Sequence, residues 1–192
     1  MTPHQIIIAE TRAWVNRVVI GLNLCPFAKA VEIKRQIRYV VTDAESPDAL
    51  RVVLSDEISR LMSTPPAEIE TTLLMHPRTW TDFLDYNDFL EVADAALAEL
   101  GADGVLQVAS FHPQYQFDGT SADDLTNATN RSPYPTLHLL REESVSRAVA
   151  AFPNPEAIFE TNIRTLESLG TSGWAELQAQ CRQDVGESDE QQ

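Results

Sequence analysis

The stretch FHPQYQFDGTSADDLTNATNRSPYPTLHLLR, residues 111–141, decides how this chain folds. One apolar run ends at His112, another begins at Pro135, and a polar connection rich in Asp, Asn and Pro separates them. A compact domain seldom carries so long a connection unless it is functional or disordered. Tyr115, Phe117 and Tyr134 argue for order, because disordered segments are poor in aromatics. The connection therefore reads as one wall of a binding site. It contains no obvious crossover helix, so the run from Thr136 to Leu140 is expected to lie antiparallel to the strand before it. A short helix over 122–128 would leave the parallel arrangement open.

Working outward, Gly104 to His112 reads as the strand feeding this connection, and two further β-branched or apolar runs precede it: Ile37 to Val41 and Thr71 to His76. Helices are expected between them. Ser46-Pro47 opens one that runs to about Met62, and the other spans Thr81 to Leu100 with Gly101 as its cap. At the start of the chain, Thr2 and Gln5 have capping-box spacing with Pro3 at the first helical position. Apolar residues from Ile7 to Leu22 then recur at helical intervals, and Gly21 and Asn23 are suitable terminators. After the last strand, a helix runs to about Ala151, Asn154 caps another from Pro155 to Leu169, a turn spans Gly170 to Gly173, and a final helix covers Trp174 to Cys181. Strand-helix alternation of this kind predicts a single α/β domain over 1–183, built on a four-stranded, mainly parallel sheet with the last strand antiparallel. Residues 184–192 are acidic and without apolar periodicity, and are expected to form a disordered tail.

Composition limits the function classes. The chain has 192 residues, 43% hydrophobic and 22% charged, within the range of ordinary globular domains. A net charge of −15 argues against nucleic acid and anionic membrane as partners, since phosphate neutralisation needs clustered Lys and Arg. No apolar run approaches the roughly 20 residues needed to span a bilayer. Glu10 interrupts the N-terminal apolar stretch, and no basic region precedes it, so no signal peptide is read there. Two cysteines are too few for a disulfide framework, and the expected location is the cytoplasm.

Three features could carry chemistry. In a parallel sheet, ligands gather beyond the C-terminal strand ends, where His76 and His112 stand; an antiparallel last strand brings His138 towards the same edge. Three imidazoles suffice for Zn²⁺ or Fe²⁺ with a position open to water, and Asp82, Asp85, Asp118 and Cys25 are spare ligands. Against this, no HxH, HxxxH or CxxC pair occurs, and a strand-end histidine is more often structural. Second, Cys25 precedes Pro26, a helix opener, which favours a thiolate nucleophile with His112 as base. CPFA resembles the active-site stretch of omega-class glutathione transferases locally, but a helix, not a strand, precedes the cysteine, so no activity carries over. Third, Arg131 could anchor a substrate carboxylate or phosphate, with Asn130, Tyr115 and Tyr134 as neutral binding groups; the alternative is an arginine that pins the loop to Asp118, Asp123 or Asp124.

Taken together, GLNLCPFA at 21–28, FHPQYQF at 111–117 and NRSPYPTLHLLRE at 130–142 resemble a bacterial family catalogued as domain of unknown function 1415. The resemblance implies a single-domain cytoplasmic protein and supplies no catalytic residues. The leading expectation is an enzyme acting on a small molecule at the sheet edge, anionic if Arg131 is its anchor. A non-catalytic ligand-binding or interaction protein is the rival.

Overall fold

The computed structural model describes residues 1–151, 154 and 157–190. Each helix begins where the local chemistry satisfies its free backbone donors. At α1, Pro3–Trp14, the Thr2 hydroxyl accepts from Gln5 N at 3.3 Å, and the Gln5 side chain accepts from Thr2 N at 2.7 Å. The helix widens into a π-helical turn over Val15–Ile20 and ends at Asn23, whose φ of 55° is left-handed backbone that asparagine tolerates. After the short α2, Ala28–Ile33, come β1, Ile37–Val41, and α3, Pro47–Ser63, capped by Ser46. Strand β2, Thr71–Met75, leads to α4, Phe83–Glu99, where the Asp82 carboxylate accepts from Leu84 N and Asp85 N. Gly101, at φ 67°, closes α4.

Strand β3, Leu106–Phe111, and β4, Thr136–Arg141, flank the long connection, which contains a 3₁₀ helix at Leu125–Asn130. Two helices follow: α5, Glu142–Ala151, and α6, Ala157–Glu190. Helix α6 breaks at Gly170, whose φ of 67° and ψ of 173° are open essentially to glycine alone. The break falls where the sequence suggests a turn. The expected helix start at Pro155 lies outside the described residues. Asp184, assigned to the tail from sequence, belongs to α6 and binds Arg17 through both carboxylate oxygens.

The sheet order is β1-β2-β4-β3. Strands β1 and β2 are parallel, and β4 is antiparallel to both of its neighbours. The expectation of a mainly parallel sheet is therefore corrected to a mixed one. Strands β1, β2 and β3 do run in one direction, but β4 enters between β2 and β3 and makes two of the three pairings antiparallel. The connection before β4 is long enough to turn the chain back and thread it into that central place.

Helices pack on both faces. Leu50, Leu54, Ile58 and Leu61 of α3, with Tyr86, Phe89, Ala93 and Ala96 of α4, close over Leu74, Leu106, Leu137 and Leu139. On the other face, Trp14, Val15 and Val18 cover Leu73 and Met75, with Trp174 and Leu177 of α6 alongside. All of β2 is buried, as a central strand covered on both faces must be. Among the described residues, no helix is long and apolar enough to cross a membrane.

Candidate functional site

The long connection is tied down by its own polar groups. Asn127, 0% exposed, accepts from Phe117 N and from the Thr120 hydroxyl through Oδ1, and donates from Nδ2 to Ser121 O at 2.8 Å. Asn127→Ala leaves these loop groups without their buried partner and is expected to lower stability by about 2 kcal/mol in urea denaturation. An unchanged midpoint would show that the loop is held by something else.

The three histidines proposed as metal ligands do not come together. His76 and His112 leave the same end of the sheet, but the Tyr86 ring lies between them, 5.5 Å from one and 5.2 Å from the other, centroid to centroid. The ring nitrogens of His112 are both engaged: Nδ1 accepts from Gln114 N at 3.0 Å, and Nε2 donates to Trp80 O at 3.1 Å. His76 donates from Nδ1 to Thr79 O at 2.9 Å, and its buried Nε2 has no partner. His138 fails to join them because of register. It pairs with Leu73 in mid-sheet, and its Nε2 bonds Thr71 Oγ1 at 2.6 Å, at the end of β2 opposite His76. Burial holds His76 and His138 down to about 4 and lowers His112 as well, so all three are neutral near pH 7. Among the described residues, no three His, Cys, Asp or Glu side chains are placed to hold a metal ion. The donor set does not fit Zn²⁺ or Fe²⁺.

Cys25 does not stand at the helix start expected of it. Helix α2 starts at Ala28 with Phe27 as its cap, and Cys25 lies earlier, in a turn closed by Ala28 N donating to Cys25 O at 3.2 Å. Asn130 and Tyr115 are occupied structurally. Asn130 donates from Nδ2 to Ser110 O at 3.2 Å, and the Tyr115 ring packs between Phe83 and Phe117.

Arg131 and Tyr134 do meet in a cleft. Its volume is about 310 Å³, and its walls come from the segment Arg131 to Tyr134 with Pro113, from Glu10, Trp14 and Val18 of the first helix and its π turn, and from Trp174, Gln178, Cys181 and Arg182 of α6. The Cys25 turn does not line it. Arg131 donates from Nε to Tyr115 O at 3.1 Å and from Nη2 to Ala122 O at 2.7 Å. It thus pins the loop, but through neutral carbonyls; Asp123 and Asp124 act on it only from a distance. Among the described residues, no carboxylate contacts its charge. The Tyr134 hydroxyl donates to Glu10 Oε2, and burial and this carboxylate raise the phenol well above its ordinary range. Burial also raises the Cys181 thiol, so it is not a thiolate near neutrality.

A model for a protein of unknown function, DUF1415, matches residues 6–176. The chain belongs to that family. No curated protein and no solved structure matches it. Within DUF1415, the matched span includes the cleft from Glu10 through Arg131 and Tyr134 to Trp174, while Gln178, Cys181 and Arg182 lie beyond it.

Sequence reasoning missed the helical walls. Glu10 was visible as a charge within an apolar run, and Trp174 as an aromatic just after the Gly170 break. Nothing in their spacing says that the two helices meet across the segment before β4.

Proposed function

We propose that this chain binds a small anionic molecule in the cleft between the first helix, α6 and the segment Arg131 to Tyr134. One observation carries the reading. Among the described residues, Arg12, Arg17, Arg38, Arg51, Arg60, Arg78 and Arg147 each have a carboxylate within 4.0 Å; Arg131 and Arg182 have none, as is true of Arg35, Arg141 and Arg164, but these two alone line one cleft together. In a protein of net charge −15, two arginines without a carboxylate partner that line one concavity outweigh its single carboxylate, Glu10, and favour anions there. Arg131 is oriented in advance by its two carbonyl bonds, which reduces the entropy lost when it grips a ligand.

A cleft of this size is at the lower end of small-molecule sites, about 300–1,000 Å³, and suits a metabolite. Its lining contains no imidazole among the described residues, and Cys25 and His112 stand outside it. Binding therefore has more support than thiol or metal-assisted catalysis.

The test is thermal denaturation of the full chain with inorganic phosphate and with aliphatic and aromatic carboxylates. A ligand at about 100 times its Kd stabilises by about 2.7 kcal/mol, a shift of several degrees in Tm. Arg182→Gln should weaken the best anion about tenfold while leaving the ligand-free Tm almost unchanged, because Arg182 is exposed and bonds nothing described. If no anion raises Tm at millimolar concentration, or if Arg182→Gln binds as tightly, the reading fails.

A further inference from the structure

The cleft that holds Arg131 and Arg182 also holds Glu10, and this narrows the ligand. Glu10 Oε2 accepts the Tyr134 hydroxyl hydrogen; among the described residues, Oε1 has no hydrogen-bond partner and no cation pairs with Glu10. A purely anionic ligand would bring negative charge beside that carboxylate and offer its free oxygen no donor. A ligand that also carries an ammonium group would meet it with a charge-assisted hydrogen bond. The remaining lining is apolar and aromatic: Trp14, Val18, Pro133 and Trp174.

We infer that the cleft takes an amphoteric molecule with a large apolar group, of the chemical class of an aromatic or branched α-amino acid. The inference rests on the anion-binding reading of the same cleft. The ligand's carboxylate faces Arg131 and Arg182, its ammonium group donates to Glu10, and its side chain packs on the indole and proline surfaces. The volume of about 310 Å³ has room for one such molecule. Tyr134 has a positioning role: its hydroxyl holds one Glu10 oxygen and leaves the other for the ligand.

Titration calorimetry on the full chain would compare L-phenylalanine with 3-phenylpropanoate, which lacks the amine, and 2-phenylethylamine, which lacks the carboxylate. Phenylalanine is expected to bind about tenfold more tightly than either. Glu10→Gln, whose amide oxygen still accepts from Tyr134, should reduce phenylalanine to the level of 3-phenylpropanoate and leave the latter unchanged or tighter. If 3-phenylpropanoate binds the native chain as well as phenylalanine does, the amphoteric ligand is refuted while the anion site stands. It is refuted in the same way if phosphate binds and none of the three does. If no anion binds, both readings fall. The comparison among ligands needs no variant, so it decides even if Glu10→Gln does not fold.

Discussion

Lowering the pH from 7 to 4 is expected to remove about 3 kcal/mol of folding stability through His76 alone. The ring is 0% exposed, Nδ1 is committed as a donor to Thr79 O, and Nε2 faces no acceptor that would welcome a proton. Desolvation dominates, with nearby His112 adding to it, and together they hold the folded pKa near 4 against an ordinary 6.5. The sign follows from proton uptake. Between those two values the unfolded chain binds a proton that the folded chain refuses, so stability falls as pH drops through the window and levels off below it. His138, also near 4, acts in the same direction; it keeps some solvent contact as a residue, so the magnitude is placed on His76. Against a total of about 5–15 kcal/mol for a typical domain, this is a large fraction. Urea denaturation at intervals from pH 7 to 4 measures the slope. His76→Asn, which keeps an N–H donor near the Nδ1 position without a titrating ring, should flatten it by that amount. An unchanged slope in the variant would assign the acid sensitivity to other groups.

His76 also shows why the fold was more legible than the site. Caps, proline stops and apolar periodicity are local, and Thr2 with Gln5, Ser46-Pro47 and Gly101 act where local rules put them. The place of β4 in the sheet is not local. Whether a returning strand adds outside β3 or enters beside β2 depends on which apolar faces need cover, and alternation along Thr136 to Leu140 is the same in both cases. That choice fixed the register that sets His138 opposite Leu73 and draws its ring to Thr71, away from His76. Tyr86 then filled the space between His76 and His112, its hydroxyl donating to Thr136 O at 2.8 Å. The cleft is less local still. Its two walls come from helices at opposite ends of the chain, and their residues look like ordinary positions on amphipathic helices until the packing is known. Arg131 was legible as an isolated cation in an acidic loop; that backbone carbonyls, not Asp118, Asp123 or Asp124, would hold it was not.

Replacing Arg38 with alanine is expected to cost about 3 kcal/mol. Arg38 on β1 meets Glu57 on α3 through two parallel bonds, Nε to Oε2 at 2.7 Å and Nη2 to Oε1 at 2.9 Å. Glu57 is 5% exposed, in the layer where α3 lies over the sheet. Its only other cation among the described residues is Arg60, at 3.7 Å and largely exposed. Without Arg38, a carboxylate stays desolvated with one weak partner, which costs far more than an exposed ion pair contributes. The native pair is less favourable than that cost suggests, because desolvating both ions consumes much of their attraction. Two outcomes follow for urea midpoints. Arg38→Lys should lie between wild type and alanine, since the charge remains but the planar fork is lost. Arg38→Met combined with Glu57→Leu should recover most of the loss, because it leaves no orphan charge and adds apolar surface under α3. A cost below about 1 kcal/mol for Arg38→Ala would mean that water or Arg60 replaces the guanidinium. A double variant no more stable than the single one would show instead that the pair's geometry, not the orphaned charge, is what α3 requires.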